Sequence, residues 1–336
     1  MKAVCRRRRL RRCVLAIVVA LASVGAGPGW LCGQESGELL RLHFLDVGQG
    51  DAVLIEAPAG QRVLVDAGRD GRVVEALRTL GVDTLDLLIA SHNHADHIGG
   101  VADVVGAFPT RYFMDNGVPH TTLTYRRTLE ALREADVPLL EPERRTIALG
   151  SASLEILPPP GDPSLGHNDN SIGVLVRFGR FRAMLAGDAE AHLWHHWLER
   201  LPEVFERVGV HKASHHGSRN GDVPAALAEL RPALVVVSAG EDNPYGHPHA
   251  RALERYHDVG SMVLVTAEVG AVTVSADSSG VFRVRTVRPI PSEGSPPHAD
   301  PQGAGRPGHH ESRSTYGGID RVEEVGAVEV EQPSRR

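Results

Sequence analysis

A length of 336 residues allows one large α/β domain or two small ones, and 42% apolar with 23% charged residues is ordinary for a globular protein. Aromatic residues make up only 4%, which argues against rows of stacking platforms for single-stranded nucleic acid. The net charge is −6, but the leader (residues 1–32) holds seven basic residues and no acid, leaving 29 basic against 42 acidic, or −13, for the rest. A domain of that balance is not built to grip polyanions over a broad surface, so a phosphate substrate has to be drawn in locally, by metal.

The basic start is followed by the apolar run Cys13-Val14-Leu15-Ala16-Ile17-Val18-Val19-Ala20-Leu21-Ala22 and then small residues, the pattern of a secretory signal. Residues 13–32 are also long enough for a retained membrane anchor, about 20 residues sufficing to span a bilayer. Residues 1–33 are therefore expected to be a signal peptide or an N-terminal anchor. In either case the domain is exported: periplasmic, extracellular, or attached to the outer face of the cytoplasmic membrane. All three cysteines (Cys5, Cys13, Cys32) lie in this leader, so the folded domain has no disulfide, and any metal is left to histidine and carboxylate.

From Leu40 onwards, short apolar runs alternate with Gly and Pro. Strands are predicted at 41–45, 52–55 and 62–65, a helix at 73–80, a buried strand at 84–90 and a helix at 98–105. The second half predicts strands at 153–157, 172–178, 181–185, 208–213, 233–238, 262–265, 271–275 and 281–287. Helices are predicted at 190–207, 224–230 and 249–257. Such an order fits two packed sheets covered by helices, a four-layer αββα sandwich over residues 38–288. Residues 289–336 turn to Pro, Gly, Ser and charge and are expected to form a disordered tail.

The chemistry concentrates in Ser91-His92-Asn93-His94-Ala95-Asp96-His97-Ile98-Gly99-Gly100. Three imidazoles and a carboxylate fall within six residues directly after a buried strand. This donor set suits Zn²⁺, and also Mn²⁺ or Fe²⁺. His92 and His94 can point to one side of an extended turn, while Asp96 and His97 serve a second ion. Asp188 follows an apolar strand and Gly187, where it either faces the site or caps the helix that begins near Glu190. His215 and His216 end another strand. On the 190–207 helix, His192, His195 and His196 beside Trp194 and Trp197 read as the polar face of an amphipathic surface helix. The chain has two lysines, Lys2 and Lys212, and Lys212 reads as a charge at the pocket edge.

The His-x-His-x-Asp-His spacing resembles the metallo-β-lactamase superfamily. Leu42-His43-Phe44-Leu45-Asp46-Val47-Gly48-Gln49-Gly50-Asp51-Ala52 and Leu64-Val65-Asp66-Ala67-Gly68 narrow the resemblance. So do Asn168-Asp169-Asn170-Ser171, Leu185-Ala186-Gly187-Asp188, His215-His216-Gly217-Ser218 and Asn243-Pro244-Tyr245-Gly246-His247-Pro248. In this order they look like the hydrolase domain attached to the competence DNA-uptake channel proteins (ComEC/Rec2-like), here over roughly residues 40–287. The resemblance implies a two-metal hydrolase with His92, His94, Asp96, His97, Asp188 and His215 as ligands, Asp188 bridging. His215 and His216 can be exchanged in that scheme. It further implies Asp66 bracing a metal-binding histidine, and Asn243, His247, His216 and, on weaker grounds, Ser218 on the substrate side. Superfamily members that cleave lactams or thioesters usually place another histidine ligand before the bridging aspartate. Here that stretch reads His167-Asn168-Asp169-Asn170-Ser171, so His167, an Asn or Asp, or water completes the first ion.

The function expected is hydrolysis by a metal-bridging hydroxide, with Asp96 and Asp188 as the catalytic carboxylates. A phosphodiester substrate follows from the resemblance, either a small molecule, a polymer or single-stranded DNA. The alternatives are a lactone, thioester or β-lactam hydrolase, and a non-catalytic metal-binding scaffold in the envelope.

Overall fold

The computed structural model describes residues 38–290 and 327–331, which belong to the unit Gly37–Arg336. The leader and most of the expected tail lie outside the described residues. Among the described residues, no helix is long and apolar enough to cross a membrane.

The chain enters as an antiparallel meander, β1 (Leu40–Phe44), β2 (Val53–Glu56) and β3 (Arg62–Val65). Helix α1 (Arg72–Thr79) then returns it so that β4 (Leu87–Ile89) pairs parallel to β3. α2 (Ala95–Ile98), α3 (Val101–Ala107), β5 (Phe113–Met114), α4 (Leu123–Glu134) and β6 (Leu139–Leu140) follow. The second sheet begins with four antiparallel strands: β7 (Arg145–Leu149), β8 (Ala152–Leu157), β9 (Gly173–Phe178) and β10 (Phe181–Leu185). It continues in parallel through α5 (Ala191–Arg200), β11 (Val210–Lys212), α6 (Pro224–Leu230), β12 (Leu234–Val237), α7 (Ala250–Asp258) and β13 (Met262–Val265). After α8 (Thr266–Val269), strands β14 (Val272–Ala276), β15 (Val281–Thr286) and β16 (Ala327–Glu331) rejoin the first sheet. The nine-stranded sheet runs β16-β15-β14-β1-β2-β3-β4-β5-β6 and the seven-stranded one β13-β12-β11-β10-β9-β8-β7.

Period-two alternation sorts the side chains into layers. Leu42, Phe44, Val53, Ile55, Val63 and Val65 share one buried cluster with Val174, Val176, Ala183, Leu185, Leu234 and Val236, the core between the sheets. The intervening Leu54, Leu64 and Leu88 face outward onto Val73, Leu77, Val101 and Val104 of α1 and α3. On the other side Leu175 and Met184 pack against Trp194 and Trp197 of α5, and Val235 and Val237 against Leu227, Ala252 and Tyr256. The result is the helix–sheet–sheet–helix sandwich that the sequence predicts.

The differences have local causes. The helix expected over 190–207 stops at Arg200, because Pro202 cannot continue it. The helix expected over 98–105 is divided into α2 and α3 at Gly99 and Gly100, and a Cβ on Gly99 would run into the Arg69 carbonyl. Five residues of the expected disordered tail form β16, placing Glu329 opposite Arg283 in the ladder with β15. Ala327-Val328-Glu329-Val330-Glu331 alternates with period two, and pairing with an edge strand supplies the backbone partners that five residues alone would lack.

Candidate metal centre

The centre is assembled at strand ends. Asp66 leaves β3, the histidine segment leaves β4, Asp188 leaves β10, and His215 and His216 leave β11. Backbone hydrogen bonds stitch the contributing loops together: Asp51 N to Asp96 O (3.1 Å), Gly68 N to Asp51 O (2.8 Å), Ala67 N to His97 O (2.7 Å) and His215 N to Gly187 O (3.1 Å). Gly50, at φ +139°, lets that first loop approach, since a Cβ there would strike the Asp96 carbonyl.

Ligand atoms of His92, His94 and Asp188 converge within 4.8 Å of one another, and so do those of Asp96, His97 and His216. Asp188 lies between the two sets. Its Oδ2 faces His92 Nε2 at 3.8 Å, while its Oδ1 faces His97 Nε2 at 3.3 Å and His216 Nε2 at 3.6 Å. His216 Nε2 also stands 3.4 Å from Asp96 Oδ2. Three of these buried atoms, His97 Nε2, His216 Nε2 and Asp188 Oδ1, have no hydrogen-bond partner. Orphaned nitrogen and carboxylate oxygen aimed at common points form the donor set that divalent cations take.

The electrostatics agree. Burial disfavours charge on His97, but Asp188 and Asp66 outweigh it and hold the ring well above the usual imidazole range. Burial likewise opposes charge on His216, yet Asp188 and Asp51 push it up to about 9. Asp188 is held well below the ordinary carboxylate value, against its burial, by His97 and His216. A cage that attracts protons so strongly attracts divalent cations through the same potential, and the two compete for the same nitrogens. For His92 the balance reverses: burial, with His97 adding to it, outweighs the pull of Asp188 and Asp96 and drives the ring well below its usual value, leaving the neutral imidazole that coordination requires.

Asp66 lies behind His97 and Ser91. Its Oδ2 accepts from His97 Nδ1 at 2.8 Å and from Ser91 Oγ at 2.8 Å, and its Oδ1 accepts from Ser91 N at 2.7 Å. Of the two strand-end histidines, which the motif leaves exchangeable, one turns inward. His216, not His215, stands in the second set. His215 turns to Glu190, 3.0 Å from its Nδ1, and its Nε2 keeps 3.9 Å from Asp188. Both residues have left-handed backbone, φ +50° and +54°, and this turn sends adjacent side chains different ways.

The third segment supports the site without joining either set. Ser171 Oγ accepts from Asp188 N (3.2 Å), and Asp169 Oδ1 accepts from Glu190 N and Leu193 N, so the start of α5 is capped by Asp169 rather than Asp188. Asn168 reaches Glu190 (3.0 Å), and Asn170 holds the carbonyls of Asp162 and Gly166. The His167 ring lies 5.4 Å from that of His94 and 4.2 Å from that of His120, outside the converging sets. Asn243 uses its carboxamide on its own loop, donating to the carbonyls of Gly240 and His247 and accepting from His247 N, all at 2.8 Å. It shapes the turn that presents His247. Ser218 is buried, and its hydroxyl accepts from Asn220 N. His247 is half-buried, and burial together with His216 and His215 depresses it to about 3, so it is a neutral ring. The Tyr245 ring stacks on it at 5.6 Å, and His247 stacks in turn over His216 at 6.1 Å.

The sequence reading gives Asp51 no role and places Lys212 at the pocket edge. Asp51 is buried in contact with Lys212, and Lys212 is itself only 1% exposed and not at a pocket edge. His192 and His195 are exposed on α5 as expected, with Trp194 and Trp197 beneath.

An α/β sandwich with a buried imidazole–carboxylate cage at its strand ends defines a metal-dependent hydrolase. The chain belongs to the metallo-beta-lactamase superfamily, whose family model matches residues 45–241. It is similar to Recombination protein 2 of Haemophilus influenzae, at 30% identity over 247 residues, covering 70% of this chain and 29% of that one. ComE operon protein 3 of Bacillus subtilis is 25% identical over 265 residues, covering 72% and 33%. Competence protein ComA of Neisseria gonorrhoeae is 26% identical over 241 residues, covering 70% and 32%. The chain thus spans about a third or less of the length of these relatives.

Proposed function

We propose that this protein is an exported phosphodiesterase that cleaves its diester at two divalent ions, with single-stranded nucleic acid among its substrates. The observation that carries the reading is the position of Asp188, with one oxygen towards His92 and the other towards His97 and His216. In this reading His92, His94 and Asp188 hold the first ion, and Asp96, His97, His216 and Asp188 the second. Zn²⁺ suits that mixture of imidazole and carboxylate, and Mn²⁺ or Fe²⁺ can replace it. When bound, the two ions would generate a nucleophile from water at neutral pH and clamp the charged oxygens of the substrate.

The chain's own residues supply the remainder. Asp96, half-buried and 3.4 Å from His216 Nε2, orients the attacking water from the second-ion side. His215, held by Glu190 and partly open to solvent, faces the leaving group. His247 is a neutral ring that can donate to a phosphoryl oxygen without adding charge. The exposed Tyr245 beside it offers an aromatic face to a base. The names of the relatives, recombination and competence proteins, favour a nucleic-acid diester over a lactone or thioester. The basic and apolar leader supports export, by cleavage or with membrane attachment, and N-terminal sequencing of the mature protein distinguishes the two.

The deciding experiment is hydrolysis of bis(p-nitrophenyl) phosphate before metal is stripped, after stripping, and after restoration, with Asp188→Ala as control. Turnover that vanishes and returns with metal, and is absent from the variant, is the expected outcome. Two bound ions with no turnover of any diester would redirect the reading to carboxylic esters or to a non-catalytic scaffold.

A further inference from the structure

Asp51 and Asp188 stand on opposite sides of the same two imidazoles. Asp188 Oδ1 faces the Nε2 atoms of His97 and His216, at 3.3 and 3.6 Å. Asp51 faces their Nδ1 atoms, at 3.8 Å from His97 and 3.2 Å from His216. A ring held at Nδ1 presents Nε2, which is how an outer carboxylate orients a metal-binding histidine. Asp66 does this for His97 at 2.8 Å. For His216 the corresponding place is taken by the Ser238 carbonyl at 3.0 Å, with Asp51 beside it.

Two carboxylates, Asp51 and Asp66, are thus buried behind the histidine pair, and the Lys212 ammonium joins the two imidazoles in facing them. Lys212 contacts Asp51, donates to Gly187 O at 3.3 Å and stands 4.0 Å from Asp188 Oδ1. It links the acid behind the rings to the turn that carries the acid in front of them. The Asp51 backbone joins the same assembly through Asp96 O and Gly68 N.

We infer that Asp51 and Lys212 form a positioning pair for the second ion, fixing His216 from behind and locking the Gly187–Asp188 turn against it. Asp51 is then not a ligand, and Lys212 is not a substrate contact. The inference rests on the two-ion reading of the site, but it does not depend on which substrate is cleaved.

The test measures Co²⁺ binding to the whole protein by calorimetry and visible absorption, resolving the two ions. Asp51→Asn is expected to weaken the second ion roughly 10- to 100-fold and leave the first within about twofold. Lys212→Met is expected to do the same, because the pair acts as a unit. Either single variant leaves a buried charge uncompensated, so the neutral double variant Asp51→Asn/Lys212→Met guards against simple misfolding. Its far-ultraviolet spectrum should match the wild type while the second ion stays weak.

Second-ion affinity at the wild-type level in the double variant would overturn the inference. Equal weakening of both ions would overturn it too, by making the pair a general prop. Weakening in Asp51→Asn but not in Lys212→Met would make Asp51 a ligand instead. A wild type that binds fewer than two ions would remove both this inference and the two-ion reading, whereas two ions without diester hydrolysis would remove only the proposed substrate.

Discussion

Asp66 holds His97 by its Nδ1 at 2.8 Å and so commits the opposite nitrogen to Asp188, 3.3 Å away. The aspartate sits at φ +62°, and the same carboxylate also binds the backbone and hydroxyl of Ser91, the residue before His92. One buried side chain thereby sets both the tautomer of His97 and the path of the chain into His92 and His94. Asp66→Asn is expected to lower metal affinity by roughly 10- to 100-fold, the usual cost of losing an outer carboxylate. Metal titration followed by calorimetry measures this. Affinity unchanged from wild type would mean that the backbone alone orients His97.

His215 and His216 make opposite predictions although they are adjacent. His216→Ala removes a buried nitrogen aimed at Asp96 and Asp188, so the protein should bind one ion in place of two. His215→Ala should retain both ions and lose turnover, because His215 points to Glu190 and the open side of the site. Metal content by atomic emission, set beside kcat for each variant, separates the two. One ion bound in His215→Ala would restore the assignment first read from the motif.

That ambiguity shows where the sequence is silent. The His92–His97 cluster is legible because its donors lie within six residues and follow a strand whose apolar run is plain. The sandwich is legible for a related reason, since strands such as β2 and β3 alternate between two cores. Two neighbouring histidines in a left-handed turn carry no spacing signal that says which one faces inward. Asp51 lies in the loop before β2 and Lys212 in β11 of the other sheet, and nothing local to either announces the other. Helix α4 is not legible because only Thr128 and Leu132 on it are buried, too narrow a stripe to stand out, while β5 and β6 are two residues each.

Asp222 braces the histidine turn from below and makes stability depend on pH. Its carboxylate accepts from His211 Nε2 (2.8 Å), Ser214 N (3.0 Å) and Tyr256 Oη (2.7 Å), and Ser214 opens the turn that carries His215 and His216. Burial alone would raise this acid, but His211 and the hydrogen bonds outweigh it and hold it below its ordinary value. A carboxyl lowered in the folded state stabilises fully above its unfolded pKa, about 4, and loses that contribution as pH falls through the lower folded value. Asp222→Ala should therefore cost about 3–5 kcal/mol at pH 7, with the gap to wild type narrowing below about pH 4. Urea unfolding of both proteins at pH 7, 5 and 3 checks it. A gap that stays constant with pH would assign the loss to packing rather than to the charge.

Tyr245 tests the nucleic-acid part of the proposed function. The ring is 51% exposed, yet it lies nearly parallel to His247 (24°), which lies nearly parallel to the buried His216 (27°). Three rings thus lead from the second-ion set to solvent, and the outermost has a free face. A base stacked there contributes about 1–3 kcal/mol, so Tyr245→Ala should raise KM for thymidine 5′-p-nitrophenyl phosphate roughly 5- to 150-fold. Methyl p-nitrophenyl phosphate has no base and should show no change, while kcat for both should hold, since the phenol touches neither ion set. Tyr245→Phe keeps the face and should behave as wild type. Equal losses on both substrates would place Tyr245 among the residues that fold the 243–248 turn. An unchanged KM for the thymidine diester would remove bases from the recognition and leave small diesters as the substrates.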